Sequence, residues 1–187
     1  MRKLASFLMV TLDGYYEGEQ PWEIDWHNTD DEFNAFAVEQ LDASGCLIFG
    51  RATYLGMAQY WPTEAAVKDD PEVASRMNAM PKIVVSRTLE VDEPTWSNTR
   101  VVRDVDPLRK LKAEPGKDML VLGSSVLTTS LIEEKLLDEL RIIINPVLLG
   151  KGNSLSGTAA ERIPLHLLNV RRFDNGNVLL TYEPEKS

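Results

Sequence analysis

Apolar residues in this chain come in short runs closed by glycine, proline or charged turns, with helix-spaced stretches between them. Leu4–Leu12 is apolar nearly throughout, which predicts a central strand buried on both faces. Asp13-Gly14 turns it into a loop, Tyr15–Asn28. Thr29 or Asp30 can cap a helix whose first turn carries Asp30, Asp31 and Glu32, and Phe33, Phe36, Ala37 and Leu41 then fall on one helical face. Cys46–Phe49 reads as a second strand, and Gly50-Arg51 leads into a helix running to about Tyr60. Ala65–Met80 is acidic at first, with Asp70-Pro71 a good helix start because proline is tolerated at the first helical position, and Pro81 ends that element. Lys82–Ser86 and Thr99–Arg103 are further strands; Asp106-Pro107 opens a helix that Gly116 ends.

The stretch Asp118–Gly152 is the centre of the pattern. Met119–Leu122 has the length of a buried strand, Gly123 permits a sharp turn, and Ser124 or Ser125 can cap the helix that follows. Arg141–Leu149 is expected to be another strand. Ile163–Phe173 and Val178–Tyr182 pair as a hairpin across Asp174-Asn175-Gly176-Asn177, since Asn-Gly suits positive φ. Strands alternating with helices and closed by a hairpin predict one α/β domain over residues 1–187. Its twisted central sheet is mostly parallel, is flanked by helices, and carries an antiparallel edge.

Composition changes this picture little. The 187 residues, 43% of them hydrophobic and 26% charged, suit a soluble globular domain. A net charge of −9 argues against nucleic-acid and anionic-membrane partners, while a few arginines can still focus positive potential on a small anion. Cys46 is the single cysteine, set among Leu47, Ile48 and Phe49, so it is expected to be inert in the core and no intrachain disulfide is possible. The apolar start has no small-residue cleavage pattern and no run approaches membrane-spanning length, so a cytoplasmic setting is expected. His27 and His166 lack metal-ligand spacing, and no metal is expected.

The chemistry gathers where strands end. Phe49 is followed by Gly50-Arg51-Ala52-Thr53, Val85 by Ser86-Arg87-Thr88, and Leu122 by Gly123-Ser124-Ser125-Val126-Leu127. In an open parallel sheet, ligands bind outside the carboxyl ends of strands. Arginine gives phosphate forked hydrogen bonds, and a helix opened by small residues offers free N–H groups and positive dipole. Together these segments suit a multiply phosphorylated ligand.

The order Leu12-Asp13-Gly14, Ile48-Phe49-Gly50-Arg51-Ala52-Thr53-Tyr54, Val84-Val85-Ser86-Arg87 and Leu120-Val121-Leu122-Gly123-Ser124-Ser125 resembles the dihydrofolate reductase-like superfamily. The segment Leu137-Asp138-Glu139-Leu140-Arg141 through Pro146-Val147-Leu148-Leu149-Gly150-Lys151-Gly152 resembles, more specifically, the reductase half of the bifunctional deaminase-reductase of bacterial riboflavin biosynthesis. No His-x-Glu followed by Cys-x-x-Cys occurs, so the deaminase half is not represented. The resemblance implies an NADPH-dependent reductase acting on a small heterocyclic or sugar-carbonyl substrate, like 5-amino-6-(5-phosphoribosylamino)uracil reductase. A binding module without turnover and dihydrofolate reductase itself are the alternatives. It implies NADPH contacts at Gly50, Arg51, Thr53, Ser86, Arg87, Gly123, Ser124, Ser125, Val126 and Leu127. Asp13 and Gly14 would lie beside the nicotinamide and substrate, where Trp22 and Trp26 could wall a planar ring. Family members often have Gly-Gly where this chain has Gly123-Ser124.

Hydride transfer to C=N or C=O also needs a proton for the heteroatom. Asp13 and Asp31 are the candidates, although an Asp-Gly turn and helix capping account for the same residues. The resemblance further implies a homodimer, with Arg141–Leu149 and the C-terminal hairpin as candidate interface.

Overall fold

The structure, a computed structural model, describes residues 1–90, 95–155 and 162–185. In chain order the elements are β1 (Leu4–Thr11), β2 (Tyr15–Glu17), α1 (Asp31–Ala43), β3 (Ser44–Gly50), α2 (Arg51–Tyr60), α3 (Glu64–Asp69), α4 (Pro71–Ala79) and β4 (Lys82–Val85). They continue as β5 (Thr99–Val102), α5 (Asp106–Ala113), β6 (Asp118–Leu122), α6 (Ser125–Glu133), β7 (Glu139–Asn145), β8 (Asn153–Ser154), β9 (Leu165–Arg172) and β10 (Val178–Pro184). Eight strands form one sheet in the order β5-β4-β3-β6-β1-β7-β10-β9. The six from β5 to β7 are mutually parallel, and β10 runs antiparallel between β7 and β9. This is the expected α/β sheet with its antiparallel edge.

Alternation along the strands sorts the core into two layers. Ala5, Phe7, Leu47, Phe49 and Leu120 face one side, where they pack with Phe33 and Phe36 of α1, Tyr54 of α2, Val73 and Met77 of α4, and Trp96. Leu4, Leu8, Val10, Ile48, Met119 and Val121 face the other, against Leu108 of α5 and Leu127 and Leu131 of α6. Strands covered on both faces are mostly apolar, which is why β1 and β6 read as nearly continuous runs. Cys46 lies in the second layer, 4% exposed, and burial raises its thiol pKa. Ser6 and Thr128 join their hydroxyls there at 2.6 Å, so α6 is fastened to β1 by a polar contact inside an apolar layer.

Several boundaries differ from the sequence reading for identifiable reasons. Asp30, rather than Thr29, caps α1 by accepting the Phe33 N–H at 2.8 Å. The strand expected over Arg141–Leu149 is Glu139–Asn145, because Pro146 brings no N–H and the chain turns there. The helix start expected at Asp70-Pro71 is that of α4, capped by the Asp70 side chain, and the acidic stretch before it forms the separate short helix α3. Asp138 and Glu139 have separate tasks: Lys112 Nζ approaches Asp138 to 2.5 Å, while Glu139 begins β7 and pairs with Lys3 and Arg141. The Tyr15–Asn28 loop contains β2, which pairs antiparallel with the two-residue β8.

Lys82, the first residue of β4, is a buried cation, 1% exposed. Its ammonium donates to the carbonyls of Asn78, Met80 and Ser97 at 3.1, 2.8 and 3.2 Å and lies 4.5 Å from the Trp96 ring centre. Burial brings its pKa down to about 8. The one side chain therefore ties the end of α4 and the start of β5 to β4. Replacing it with methionine leaves carbonyls without a donor, and Lys82→Met should lower stability by about 2 kcal/mol in urea denaturation.

Candidate functional site

The parallel strands bring their carboxyl ends to one rim of the sheet. Gly50 is in register with Val85, and Val85 with Val102, so β3, β4 and β5 end level with one another. Ile48 is in register with Val121 of β6, and Phe7 of β1 with Leu122. The chain order reverses here: β6 lies between β3 and β1, which is the switch-point arrangement at which α/β sheets hold ligands.

Two helices start side by side at this point. Gly50 is the N-cap of α2 and Ser124 that of α6, and neither gives a side-chain oxygen to the first N–H groups of its helix. By contrast, α1, α3 and α4 are capped by Asp30, Thr63 and Asp70. The two open ends are in contact. A Cβ on Gly50 would collide with the Ser124 hydroxyl, and one on Gly123 would come within 3.1 Å of Thr53 Cγ2. Gly123 has φ +60, so glycine is needed there for conformation as well as space. Ser124 also sits in the left-handed region, with φ 57, a position glycine occupies more readily. Its hydroxyl thus fills the seam between the two helix starts. The unpaired N–H groups, the summed dipoles and the glycine-tight backbone suit a diphosphate.

The remaining residues named from sequence fall on or near this rim. Arg51 is the first residue of α2 and Arg87 follows β4 by two positions; both are exposed, and no ion pair to either is recorded among the described residues. Ser86 is 7% exposed, and its hydroxyl is occupied in accepting the N–H of Thr88 at 3.3 Å and of Leu89 at 3.0 Å. It shapes the turn that presents Arg87. Ser125 and Leu127 are buried, leaving their backbone N–H groups toward the helix end, and Val126 is 61% exposed. The sequence reading missed Arg103, which it placed inside a strand. Arg103 follows β5 and donates Nη1 to the carbonyls of Ser86 at 3.1 Å and Leu89 at 2.6 Å. Its signal was available: it is the third strand-end arginine, after Arg51 and Arg87.

On the β1 side, Asp13 accepts Thr11 Oγ1 at 2.6 Å and the N–H groups of Leu149 and Gly150 at 3.1 and 2.8 Å. The Thr11 bond, with these two N–H groups, holds the carboxyl below its ordinary range. Near neutral pH it is an anionic clamp on the turn after β7, and a poor proton donor. Gly14 makes the adjoining turn at φ +86, and its carbonyl accepts the Leu155 N–H. Asp13 therefore holds the end of Asp138–Gly152, the segment most characteristic in sequence, and Gly14 holds Leu155 just beyond it. Of the three acids opening α1, Asp30 caps the helix and Glu32 meets Arg171 at 3.4 Å and the Asp174 N–H at 2.8 Å. Asp31 stands exposed between them.

Asn28 ends the loop in a group of asparagines. Its N–H donates to Asn145 Oδ1 at 2.9 Å, and its carbonyl accepts Asn177 Nδ2 at 2.7 Å. Trp26 and His27 stack edge to face at 4.5 Å, and Trp22 lies against Gly56 of α2. Trp26 donates its indole N–H to the Glu23 carbonyl at 3.2 Å. No group of three or more His, Cys, Asp or Glu placed to hold a metal occurs among the described residues.

The sheet order, the rim and the paired helix ends define a dihydrofolate reductase-like α/β fold. Dihydrofolate reductase from Enterococcus faecalis, solved with NADP(H), superposes with a TM-score of 0.64 at 15% identity, over 98% of this chain and 97% of that one. The Thermotoga maritima diaminohydroxyphosphoribosylaminopyrimidine deaminase/5-amino-6-(5-phosphoribosylamino)uracil reductase superposes with a TM-score of 0.68 at 16% identity, over 98% of this chain and 57% of that longer one. The chain belongs to the RibD C-terminal domain family, which it matches over residues 2–179. The uncharacterized protein YyaP of Bacillus subtilis is 34% identical over 185 residues, spanning 97% of this chain and 94% of YyaP. No helix among the described residues is long and apolar enough to cross a membrane.

His27 gives the loop a pH dependence. Burial lowers its pKa from 6.5 to about 4, and its Nε2 has no partner among the described residues. The unfolded chain takes up this proton first, so the stabilisation is complete above pH 6.5 and is lost as pH falls toward 4. Between neutral pH and that range, wild type should lose about 2 kcal/mol more than His27→Gln, measured by urea denaturation in a pH series.

Proposed function

We propose that the protein is an NADPH-dependent reductase that transfers hydride to a small heterocyclic or sugar-carbonyl substrate, in the manner of 5-amino-6-(5-phosphoribosylamino)uracil reductase. The observation that carries this is the meeting of two uncapped helix N-termini, at Gly50 and Ser124, beside Arg51 and Arg87. Family membership and the likeness to reductase structures support it.

In this reading the N–H groups opening α2 and α6 bind the diphosphate, helped by the Thr53 and Ser124 hydroxyls. Arg51 and Arg87 take the additional phosphate that distinguishes NADPH from NADH, and Arg103 holds the Ser86–Leu89 turn that carries Arg87. When bound, the reduced nicotinamide supplies the hydride. Asp13 sets the turn after β7 against the substrate side, and Asp31 or a water beside it supplies the proton to the substrate's heteroatom. The clamp role of Asp13 also favours a second reading, cofactor binding without turnover; NADPH binding with no oxidation across pteridines, pyrimidines and flavins would decide for that one.

We also propose that the protein is a homodimer of the cytoplasm and that β9 is its contact. This strand is an unpaired outer edge on which Leu165, Leu167, Leu168 and Val170 are 40 to 53% exposed. Apolar residues on both faces of a long edge strand suit pairing with a second copy of the same strand.

NADPH should quench intrinsic tryptophan fluorescence and give a calorimetric isotherm, and no binding at millimolar cofactor would overturn the reading. Arg51→Ala with Arg87→Ala should weaken NADPH at least about 10-fold while leaving NADH nearly unchanged, as loss of charge-assisted bonds to one phosphate requires. Sedimentation equilibrium should give a dimer that Leu167→Glu with Val170→Glu converts to a folded monomer.

A further inference from the structure

A cleft separate from the rim lies on the side of α5 turned away from α6. The two sides of this helix have different surroundings. Toward α6 and β7, Arg109 meets Glu134 at 3.1 Å, and Lys112 meets Asp138 and donates to the Leu136 carbonyl at 2.7 Å. Pro107, Lys110, Leu111 and Glu114, spaced i, i+3, i+4 and i+7, share the other side. Between them and the sheet is a cleft of about 250 Å³.

The opposite wall is supplied by β4 and β5. Ile83 is in register with Arg100, and Val85 with Val102, and residues in register on parallel strands point to the same face. Ile83 and Val85 pack into the layer beneath α5, so Arg100 stands at an inward position of the outermost strand. Ile83, Val102, Pro107 and Leu111 make the cleft apolar, while Arg100 lines it from the strand side and Lys110 from the helix side. Neither cation has an ion-pair or hydrogen-bond partner among the described residues. A charge on the inner face of an edge strand keeps that strand from pairing with another chain, which accounts for Arg100 alone. It does not account for a second free cation in the same cleft, in a chain whose net charge is −9.

We propose that this cleft binds a small amphipathic anion, with a ring-sized apolar body among Ile83, Val102, Pro107 and Leu111 and one carboxylate or phosphate head held by Arg100 and Lys110. Volume sets the size. An apolar cavity of about 150 Å³ holds benzene and sites for drug-sized ligands begin near about 300 Å³, so about 250 Å³ suits one ring and its head group. Charge sets the class, because a guanidinium fork and an ammonium reaching one apolar cleft favour a single anionic group there. Glu114 lines the same cleft and opposes a second negative charge on the body. The site does not rest on the reading of the rim: α5 lies between it and α6, and it needs neither NADPH nor hydride chemistry.

Heteronuclear NMR of the full chain, titrated with benzoate, phenyl phosphate and benzyl alcohol, tests the site. The better of the two anions should bind with Kd of about 1 mM or below, and benzyl alcohol at least about 10-fold more weakly. Shifts should centre on residues 99–102 and 107–114 and be small at Gly50 and Ser124. Arg100→Gln with Lys110→Gln should weaken the anion at least about 10-fold and leave benzyl alcohol unchanged. Both side chains are exposed, so the variant should fold; if it does not, the comparison of anion with alcohol on wild type decides. Anion binding weaker than about 1 mM overturns the proposal, as does equal binding of anion and alcohol or an anion affinity that the double variant leaves unchanged. Shifts confined to the rim assign the anion to the helix starts and overturn it too.

Discussion

The close approach of β3 and β6 at the rim is the constraint on which the remaining arrangement depends. Gly50 and Ser124 touch, and Gly123 packs on Thr53, because two adjacent parallel strands each pass directly into a helix at the same level. Gly50 has no side chain to cap α2, and Ser124, held at φ 57, turns its hydroxyl away from α6, so neither helix start has a side-chain cap. An unpaired donor array is costly unless water or an anion meets it. The site is therefore a consequence of how tightly the sheet is wound at its switch point. The two core layers hold that geometry from either side, through Phe49 and Tyr54 on one face and Ile48 and Leu127 on the other.

Much of this was legible in sequence, for reasons particular residues make plain. β1 and β6 announce themselves because a strand covered on both faces has no polar positions to alternate with. The hairpin between β9 and β10 is carried by Asn175-Gly176, and Gly176 has φ +93 in the structure. Gly50-Arg51, Ser86-Arg87 and Gly123-Ser124, each at the end of an apolar run, mark the rim in sequence. What could not be read was anything fixed by partners distant along the chain. Asp13 looks like half of an Asp-Gly turn, and nothing local reveals that its carboxylate holds Leu149 and Gly150. Gly56 looks like a weak point in a helix until Trp22 is laid on it.

The acids show the same division of labour. A helix start with Asp30, Asp31 and Glu32 reads as simple dipole compensation, yet each residue has a different surrounding. One caps the helix, one binds the hairpin, and one stands exposed. Asparagine plays the corresponding part at the base of the loop, where Asn28 is hydrogen-bonded to Asn145, Asn175 and Asn177 through neutral groups. Carboxylates in that position would have repelled each other. Amides let the loop root be polar and buried at once.

The placement of positive charge has a kinetic consequence. The chain carries a net −9, but Arg51, Arg87 and Arg103 follow three neighbouring strands at one end of the sheet. A polyanion approaching from far away meets the field of the whole molecule, and one already at the rim meets the arginines. At physiological ionic strength the Debye length is about 8 Å, so the unfavourable far field is largely erased while the near field is only weakened. Salt then acts on encounter and on residence with opposite signs. An anion would meet such a surface faster, and stay for less time, as ionic strength rises.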